Sequence, residues 1–411
     1  MQITSSSAGK SSYYLELEEK YGAHNYHPLP VVLEKGEGVF VWDTAGKRYY
    51  DFLSGYSALN QGHCHPAIIA SLVEQAQKLT LVSRAFYSNM LGEYARYCTA
   101  YFGYQKLLPM NTGVEAVETA IKLCRRWGYE KKGIPENKAR IVVCENNFHG
   151  RTSTVISFSS DPSSFKNFGP YTPGFDMIPY NDPEALAAAL KNTHVAGFLV
   201  EPIQGEAGVV VPCEGYLKKA KQYCEDAGVL FIADEIQTGL CRTGRMLACD
   251  HEGVRPDILL LGKALSGGTL PVSAVLADDD IMLCIRPGEH GSTYGGNPLA
   301  CKVAMTALAV LKEERMAENA AVQGELLRKG LRELNSPHIA TVRGKGLLNA
   351  IVIRHKNADA SWDLCLALMD RGLLAKPTHG DKIRLAPPLV INHEQIMECV
   401  DIIRRSLTVL D

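Results

Sequence analysis

Lys263 and Asp234 follow two hydrophobic segments and are residue types that could do chemistry together. Lys263 ends the largely aliphatic run 257–263, where a lysine is unusual because removing an ammonium group from water is costly. Asp234 ends a second hydrophobic run, 229–234. Two predicted strands would thus present an amine and a carboxylate. A lysine that forms a Schiff base and an acid that pairs with a pyridinium nitrogen are the protein groups that pyridoxal phosphate (PLP) most requires.

Each of these residues also has an ordinary structural interpretation. Asp234 could cap a helix or bind a metal, and Lys263 could extend its ammonium group to solvent beside a glycine turn. The pair becomes a strong indication of a cofactor site only together with further motifs.

Two glycine-containing segments could bind a phosphate group. Gly113 and Val114 lie where a helix is predicted to begin, and the free N–H groups and dipole of such a helix bind anions. An ordinary helix start capped by Asn111 or Thr112 is the alternative. Ser292 and Thr293, in the segment 290–298, could add hydroxyl groups, or the segment could be a flexible turn before a helix.

Two further segments place polar and aromatic residues after predicted strands. In 146–152, Phe148 could stack on a flat ring, and Arg151 could bind a carboxylate in bidentate fashion. His149 is a further candidate for a ligand contact. Core packing and a surface ion pair are the alternatives. In 201–208, Glu201 and Glu206 could orient a ligand or screen a cation. Paired acids also occur in glycosidases, but the lysine and the pattern of elements give that function no support.

The middle of the chain predicts an α/β fold with a mainly parallel sheet flanked by helices, since strand-like and helical runs alternate there. The predicted strands are 140–144, 197–201, 229–234, 258–262 and 272–276. A helix is predicted at 214–226.

The two ends of the chain predict a smaller α+β domain. A hairpin is predicted from 38–43 and 47–52, a long helical segment with a break near 313–317 from 298–334, and a C-terminal helix from the spacing of Ile396, Val400 and Ile403. We therefore predict an N-terminal segment 1–56 that joins the small lobe, a large cofactor-binding domain 57–307, and a C-terminal small domain 308–411.

Composition excludes several classes of partner. The chain has 411 residues with 43 basic and 45 acidic side chains and no run of like charge, which argues against nucleic acid or an anionic membrane as the partner. Its apolar runs are far shorter than the roughly 20 residues that cross a bilayer, so we expect a soluble protein.

Cysteine spacing and the first residues bear on metal binding and location. The 12 cysteines show no paired spacing typical of zinc sites, so no metal is predicted and reduced thiols are expected. Residues 1–10 hold one basic residue and no apolar core, which predicts a cytoplasmic protein rather than a secreted or mitochondrial one.

In this order, the motifs resemble those of the class III aminotransferases, PLP-dependent enzymes of fold type I. The resemblance runs from Tyr21 to the C-terminal helix. The segments 20–30, 52–63 and 343–350 are most similar to the members of the family that act on ornithine.

The resemblance implies roles around the cofactor. Lys263 would form the Schiff base and then move protons, and Asp234 would keep the pyridine nitrogen protonated. Gln237 would contact the phenolic oxygen, and Gly113 and Val114 the phosphate, where Val114 offers only its main chain. The other implied cofactor contacts are Phe148, His149, Ser292 and Thr293. The last two would reach the phosphate of a neighbouring subunit, which implies a homodimer with shared sites.

The resemblance also implies how two substrates of different charge are bound. Tyr26 and Arg151 would hold the α-amino and α-carboxylate groups of ornithine. Arg384 would bind the α-carboxylate of glutamate or 2-oxoglutarate, and Glu206 would neutralise Arg384 when ornithine is bound. Tyr56, where an aliphatic residue would indicate a 4-aminobutyrate enzyme, and Glu201 complete the implied substrate site.

The implied reaction is transfer of the δ-amino group of ornithine to 2-oxoglutarate in a ping-pong cycle between PLP and pyridoxamine phosphate. Acetylornithine or 4-aminobutyrate as the amino donor is the first alternative. A PLP-fold protein without catalysis is the second, which the presence of Lys263, Asp234, Arg151 and Arg384 disfavours.

Overall fold

The computed structural model describes residues 7–411, with side chains from residue 11 onward. The targeting prediction, made on residues 1–10, lies outside the side chains described.

Helices surround three sheets. The helices are α1 (Ser7–Tyr21), α2 (Ser54–Ser57), α3 (Pro66–Ala76), α4 (Leu91–Phe102), α5 (Gly113–Glu130), α6 (Ser153–Ile156), α7 (Pro162–Phe165), α8 (Pro183–Ala189), α9 (Tyr216–Asp226), α10 (Asp279–Met282), α11 (Pro298–Glu313), α12 (Met316–Glu333), α13 (Ala360–Asp370) and α14 (His393–Ser406). Short 3₁₀ turns lie at Ala248–His251, Lys263–Ser266 and Leu407–Leu410.

The strands are β1 (Leu33–Glu37), β2 (Phe40–Asp43), β3 (Arg48–Asp51), β4 (Lys106–Met110), β5 (Arg140–Cys144), β6 (Phe175–Ile178), β7 (Val195–Val200), β8 (Leu230–Asp234), β9 (Ile258–Leu261), β10 (Ser273–Ala277), β11 (Ile339–Lys345), β12 (Leu348–Ile353), β13 (Leu373–Leu374), β14 (Lys376–Thr378) and β15 (Lys382–Leu385).

The central sheet has seven strands in the order β4-β10-β9-β8-β7-β5-β6. The pairs from β9 to β6 are parallel, whereas β10 runs antiparallel to both β9 and β4. Strands β7 to β10 are buried along their whole length, as expected of a sheet covered by helices on both faces. The predicted α/β fold with a mainly parallel sheet is confirmed.

The predicted strands agree with the structure to within two residues at each end. The segment 140–144 is β5, and the other four predictions fall on β7, β8, β9 and β10. Two strands of this sheet, β4 and β6, were not predicted. β4 is a short edge strand that contains Pro109, so it lacks the aliphatic run of the buried strands in the middle of the sheet.

The N-terminal hairpin and the C-terminal part of the chain share a sheet. Strand β3 pairs in parallel with β13, which adds Leu373–Leu374 to the β1-β2-β3 meander. A third sheet, β11-β12-β15-β14, completes this part of the molecule. The domain boundaries stay a prediction. The one at 307/308 lies inside α11, so the two proposed domains would share that helix.

Over residues 7–411, no helix is long and apolar enough to cross a membrane, and no group of three His, Cys, Asp or Glu side chains is placed to hold a metal ion. The cysteines are free thiols, of which Cys64 and Cys213 are exposed.

Candidate active site

Lys263 stands two residues after the end of β9, at the start of a 3₁₀ turn, in a strained backbone conformation. Its φ is 44°, in the left-handed region that non-glycine residues rarely adopt and that recurs at functional sites. Within residues 11–411, its amine has no hydrogen-bond or ion-pair partner. Burial lowers the pKa of the amine, while Glu206 and Asp234 oppose that shift. A lysine with a lowered pKa is more readily available as a neutral nucleophile or base.

Asp234 ends the neighbouring parallel strand β8 and is held by two hydrogen bonds. Its Oδ2 lies 2.6 Å from Nδ1 of His149, and its Oδ1 accepts the Ile236 N–H at 3.1 Å. Burial opposes protonation of His149, but the hydrogen bond to Asp234 and the charges of Asp234 and Glu201 together outweigh it and raise the pKa of the imidazole. The Nε2 of His149 is buried without a partner in the described part of the chain. His149 therefore orients Asp234 and supports its negative charge.

Glu201 lies just beyond β7 and fixes the segment that carries Phe148. Its Oε1 accepts the Phe148 N–H at 2.8 Å. Burial raises the pKa of Glu201 to about 7, and nearby His149 counteracts part of that shift. Glu201 thus positions Phe148 at the edge of the pocket that Lys263 and Asp234 enter.

Arg384, Glu206 and Gln237 form a hydrogen-bonded cluster near Lys263. Arg384 comes from β15 and is 2% exposed, and its Nη1 donates to Glu206 Oε1 at 2.6 Å. Gln237 Nε2 donates to the same oxygen at 3.1 Å, and Arg384 Nη1 also approaches Gln237 Oε1 at 3.4 Å. Burial would raise the pKa of Glu206, but Arg384, together with Lys263 and Gln237, outweighs burial and lowers it. The two charges neutralise each other.

Three predicted substrate residues lie around this cluster. The Tyr56 ring centroid is 5.2 Å from the guanidinium carbon of Arg384. Tyr26 is 60% exposed, with Lys376 Nζ 5.9 Å from its ring. Arg151 is exposed, with its guanidinium carbon 5.9 Å from the Phe148 ring. Tyr56 is thus adjacent to the buried cation, whereas Tyr26 and Arg151 lie at the rim.

Gly113 begins α5, and Thr112 caps it in a reciprocal capping box with Glu115. The cap was the ordinary alternative for this segment, and it is present. It does not consume the N–H groups of Gly113 and Val114, because the first N–H groups of a helix have no partner within it. A side chain at Gly113 would contact Ile236 at 3.1 Å, so glycine lets the backbone approach closely.

Ser292 lies beside the start of α5, although it is distant in sequence. Its Oγ accepts a hydrogen bond of 2.8 Å from Asn111 Nδ2, and Thr293 next to it is exposed. The fold therefore brings both glycine-containing segments together.

A cavity of about 190 Å³ lies between Lys263, Asp234 and the start of α5. Its lining comprises Gly113, Val114, Phe148, His149, Gly150, Glu201, Glu206, Asp234, Ile236, Gln237 and Lys263. An amine, a carboxylate, the free N–H groups of a helix start and apolar side chains of Val114 and Ile236 suit a flat, anionic, nitrogen-containing ring. The residues fit PLP.

Sequence reasoning missed two residues that support the site. Thr378 Oγ1 donates to the backbone oxygen of Glu206 at 2.9 Å, and the N–H of Ile236 bonds Asp234. Thr378 had no sequence signal because it lies 172 residues from Glu206 along the chain, in strand β14 of the third sheet. Ile236 could have been identified, since an Asp two residues earlier commonly accepts the N–H of such a residue.

Comparisons with known proteins agree with this geometry. The sequence model described as aminotransferase class-III matches residues 21–407. The chain is 62% identical over 406 residues to the protein named mitochondrial ornithine aminotransferase of Drosophila melanogaster, covering 99% of this chain and 94% of the fly protein.

Two solved structures are also similar. An ornithine aminotransferase from Toxoplasma gondii, described with partial occupancy of PLP at its active site, has a TM-score of 0.96 and 49% identity, covering 97% of this chain and 94% of that one. An acetylornithine aminotransferase from Elizabethkingia anophelis has a TM-score of 0.91 and 61% identity, covering 97% and 99%.

Proposed function

This chain belongs to the class-III aminotransferase family, and we propose that it is an ornithine aminotransferase. It transfers the δ-amino group of L-ornithine to 2-oxoglutarate and yields glutamate 5-semialdehyde, which cyclises to 1-pyrroline-5-carboxylate, and L-glutamate. The observation that carries this proposal is the buried pair of Arg384 and Glu206 beside Lys263.

The pair explains how one pocket accepts two patterns of charge. With Glu206 on Arg384, the pocket next to Lys263 is neutral and accepts the amine end of ornithine, which carries no carboxylate there. When Glu206 turns away, Arg384 is free to bind the α-carboxylate of glutamate or 2-oxoglutarate in bidentate fashion. A buried guanidinium without a partner is costly, so the carboxylate of either Glu206 or the substrate must occupy it.

The residues of the cavity supply the cofactor contacts. Bound PLP provides an electron sink that stabilises negative charge on the substrate carbon. Asp234, supported by His149, would hold the proton on the ring nitrogen, and the N–H groups of Gly113 and Val114 would hold the phosphate. Gln237 would contact the phenolic oxygen of the cofactor, and Phe148 would pack against its ring.

Lys263 would anchor the cofactor, and its Nζ, when free, would move a proton to and from the substrate. Its lowered pKa suits that role, because a general base works best with a pKa near the working pH. At the rim, Tyr26 and Arg151 bind the α-amino and α-carboxylate groups of ornithine. Between the rim and Lys263, Glu201 fixes the segment that carries Phe148 through its bond to the Phe148 N–H.

The assembly is a homodimer with shared sites, in which Ser292 and Thr293 contribute to the partner's phosphate site. Exposed aromatic side chains support a dimer, since Phe86, Tyr87 and Tyr294, which follows Thr293 in sequence, are 70%, 104% and 57% exposed and would be covered in it. Location in the cytoplasm stays a prediction, and the name of the fly relative places that protein in mitochondria.

Acetylornithine is the second candidate donor. The 61% identity to the protein from Elizabethkingia anophelis favours it. Ornithine is preferred because Tyr26 and Tyr56 are both present near the ends of the pocket.

Reduction of the holoenzyme with borohydride, followed by digestion and peptide mapping, tests the cofactor site. We expect a pyridoxyl group on the peptide containing Lys263 and none in Lys263→Ala. In a separate sample, unreduced holoenzyme incubated with ornithine and 2-oxoglutarate should give glutamate and 1-pyrroline-5-carboxylate in equal amounts. A pyridoxyl group on another lysine, or no transamination, contradicts the proposal.

A further inference from the structure

The four residues of α2 form one turn of left-handed helix. The φ angles of Ser54, Gly55, Tyr56 and Ser57 are 50°, 54°, 60° and 72°, and the ψ angles of Gly55 and Tyr56 are 41° and 40°. L-residues rarely adopt this conformation in succession, and three of the four are not glycine. A turn of this kind persists only where its surroundings impose it.

Asp51 holds the entry to this turn. Its Oδ1 accepts the N–H groups of Leu53 at 2.9 Å and Ser54 at 2.8 Å, and its Oδ2 lies 2.7 Å from His63 Nε2. The Ser54 carbonyl then accepts the Ala58 N–H at 2.9 Å and closes the turn. The carboxylate of Asp51 therefore fixes where the chain reverses its handedness.

The turn is also bonded to the segment that carries Arg384. Ser54 is fully buried, and its hydroxyl donates to the carbonyl of Ala386 at 2.7 Å. The N–H of Ala386 in turn donates to the Phe52 carbonyl at 2.9 Å. Ala386 lies two residues beyond Arg384, so these bonds fix the turn relative to the guanidinium group.

Tyr56 is the residue whose position this arrangement decides. It lies in the middle of the turn, with its ring 5.2 Å from the guanidinium carbon of Arg384, and a right-handed backbone would point its side chain elsewhere. Contact with the face of an aromatic ring stabilises a buried cation even when no carboxylate is bound to that cation.

We propose that the left-handed turn Ser54–Ser57 is a specificity-determining element that, by fixing Tyr56 against Arg384, favours ornithine over donors with an α-carboxylate at Arg384. The inference rests on the proposed function and extends it to residues that touch neither substrate. Asp51, Ser54 and Gly55 are positioning residues, since they act only through Tyr56.

Gly55→Ala tests the backbone conformation with little change in packing. The added Cβ would lie 3.4 Å from its nearest neighbour, in ordinary contact, so the substitution acts through the positive φ alone. Gly133→Ala is the matched control, because Gly133 has a φ of 74° with nothing within 4 Å of its Cβ. Gly55→Asn is the rescue variant, since Asn tolerates the left-handed region.

The measurement is kcat/KM of the PLP holoenzyme for ornithine and for glutamate in separate half-reactions. We expect Gly55→Ala to lower the ratio of ornithine to glutamate about five- to tenfold, as for loss of a partly buried cation–π contact. Gly133→Ala should leave the ratio within about twofold of the parent, and Gly55→Asn should restore most of it.

Ser54→Ala provides a second test should Gly55→Ala fail to fold. It removes the bond to Ala386 and should shift the ratio in the same direction, whereas Ser406→Ala, which removes a buried hydroxyl bonded to the Ile402 carbonyl, should not. Ratios that move no more in Gly55→Ala and Ser54→Ala than in their controls overturn the inference. A parent enzyme that uses glutamate but not ornithine would instead contradict the proposed function.

Discussion

Glu201 is a buried carboxyl group with an unusual proton affinity. Burial raises its pKa from the usual 4.5 to about 7, although its Oε1 accepts the Phe148 N–H. Between those two pH values, the folded protein keeps a proton that the unfolded chain has lost. Stability attributable to Glu201 therefore declines as the pH rises from about 4.5 to about 7 and is lowest above that range.

Glu201→Gln should remove this pH dependence, because glutamine keeps the acceptor oxygen and cannot ionise. We expect the Tm of the cofactor-free variant to exceed that of the parent by a margin that grows from pH 5 to pH 8. Thermal unfolding at a series of pH values measures it. A difference in Tm that stays constant across the series would show that Glu201 does not titrate in this way.

At the scale of elements, the loop after β7 is shaped around Gln237. A Cβ at Gly205 would lie 1.6 Å from Gln237 Oε1, so any side chain there must displace the amide that contacts Glu206 and Arg384. Glycine at residue 205 therefore leaves room for the Gln237 amide in its present position.

Gly205→Ala should lower kcat/KM for ornithine by about tenfold or more, since small displacements of positioning groups cost that much. Gly92→Ala, at a helical glycine with nothing within 4 Å of its Cβ, is the matched control and should retain parental activity. Steady-state kinetics on both holoenzymes makes the comparison. Activity of Gly205→Ala within twofold of the control would mean that Gln237 is not required in its present place.

The sequence predicted the elements that form because of their own residue types. β5, β8 and β9 are buried aliphatic runs, and Lys263 and Asp234 follow from the ends of two of them. The left-handed turn at Ser54–Ser57 was not predicted, because bonds from Asp51 and Ala386 impose it rather than its own residue types. The pair of Arg384 and Glu206, separated by 178 residues, was accessible only through resemblance to a family.

For the whole molecule, two parts of the fold meet at the site. The carboxyl ends of β7, β8 and β9 supply Glu201, Asp234 and Lys263, as is usual for ligand sites of parallel sheets. The third sheet supplies Arg384 from β15. Glu201, Asp234 and Lys263 thus follow strands of the central sheet, whereas Arg384, the cation proposed to bind substrate carboxylates, comes from the third sheet.

The proposed shared sites predict complementation between inactive variants. Lys263→Ala should be inactive, and the double variant Ser292→Ala/Thr293→Val should lose most activity through weak phosphate binding. Subunit exchange would give hybrid dimers with one intact site, so the mixture should recover about a quarter of parental activity. Light scattering should give twice the mass of one chain. A mixture no more active than the average of its components, or a monomeric mass, contradicts the shared site.

The central claim is that this pocket selects the δ-amino group of ornithine, and a comparison of amino donors tests it most directly. With 2-oxoglutarate as acceptor, kcat/KM is measured for L-ornithine, N-acetyl-L-ornithine and 4-aminobutyrate under one set of conditions. We expect ornithine to exceed the other two by about tenfold or more, because the α-amino and α-carboxylate contacts proposed for Tyr26 and Arg151 are complete only with ornithine. A higher kcat/KM for N-acetylornithine or 4-aminobutyrate would contradict the claim.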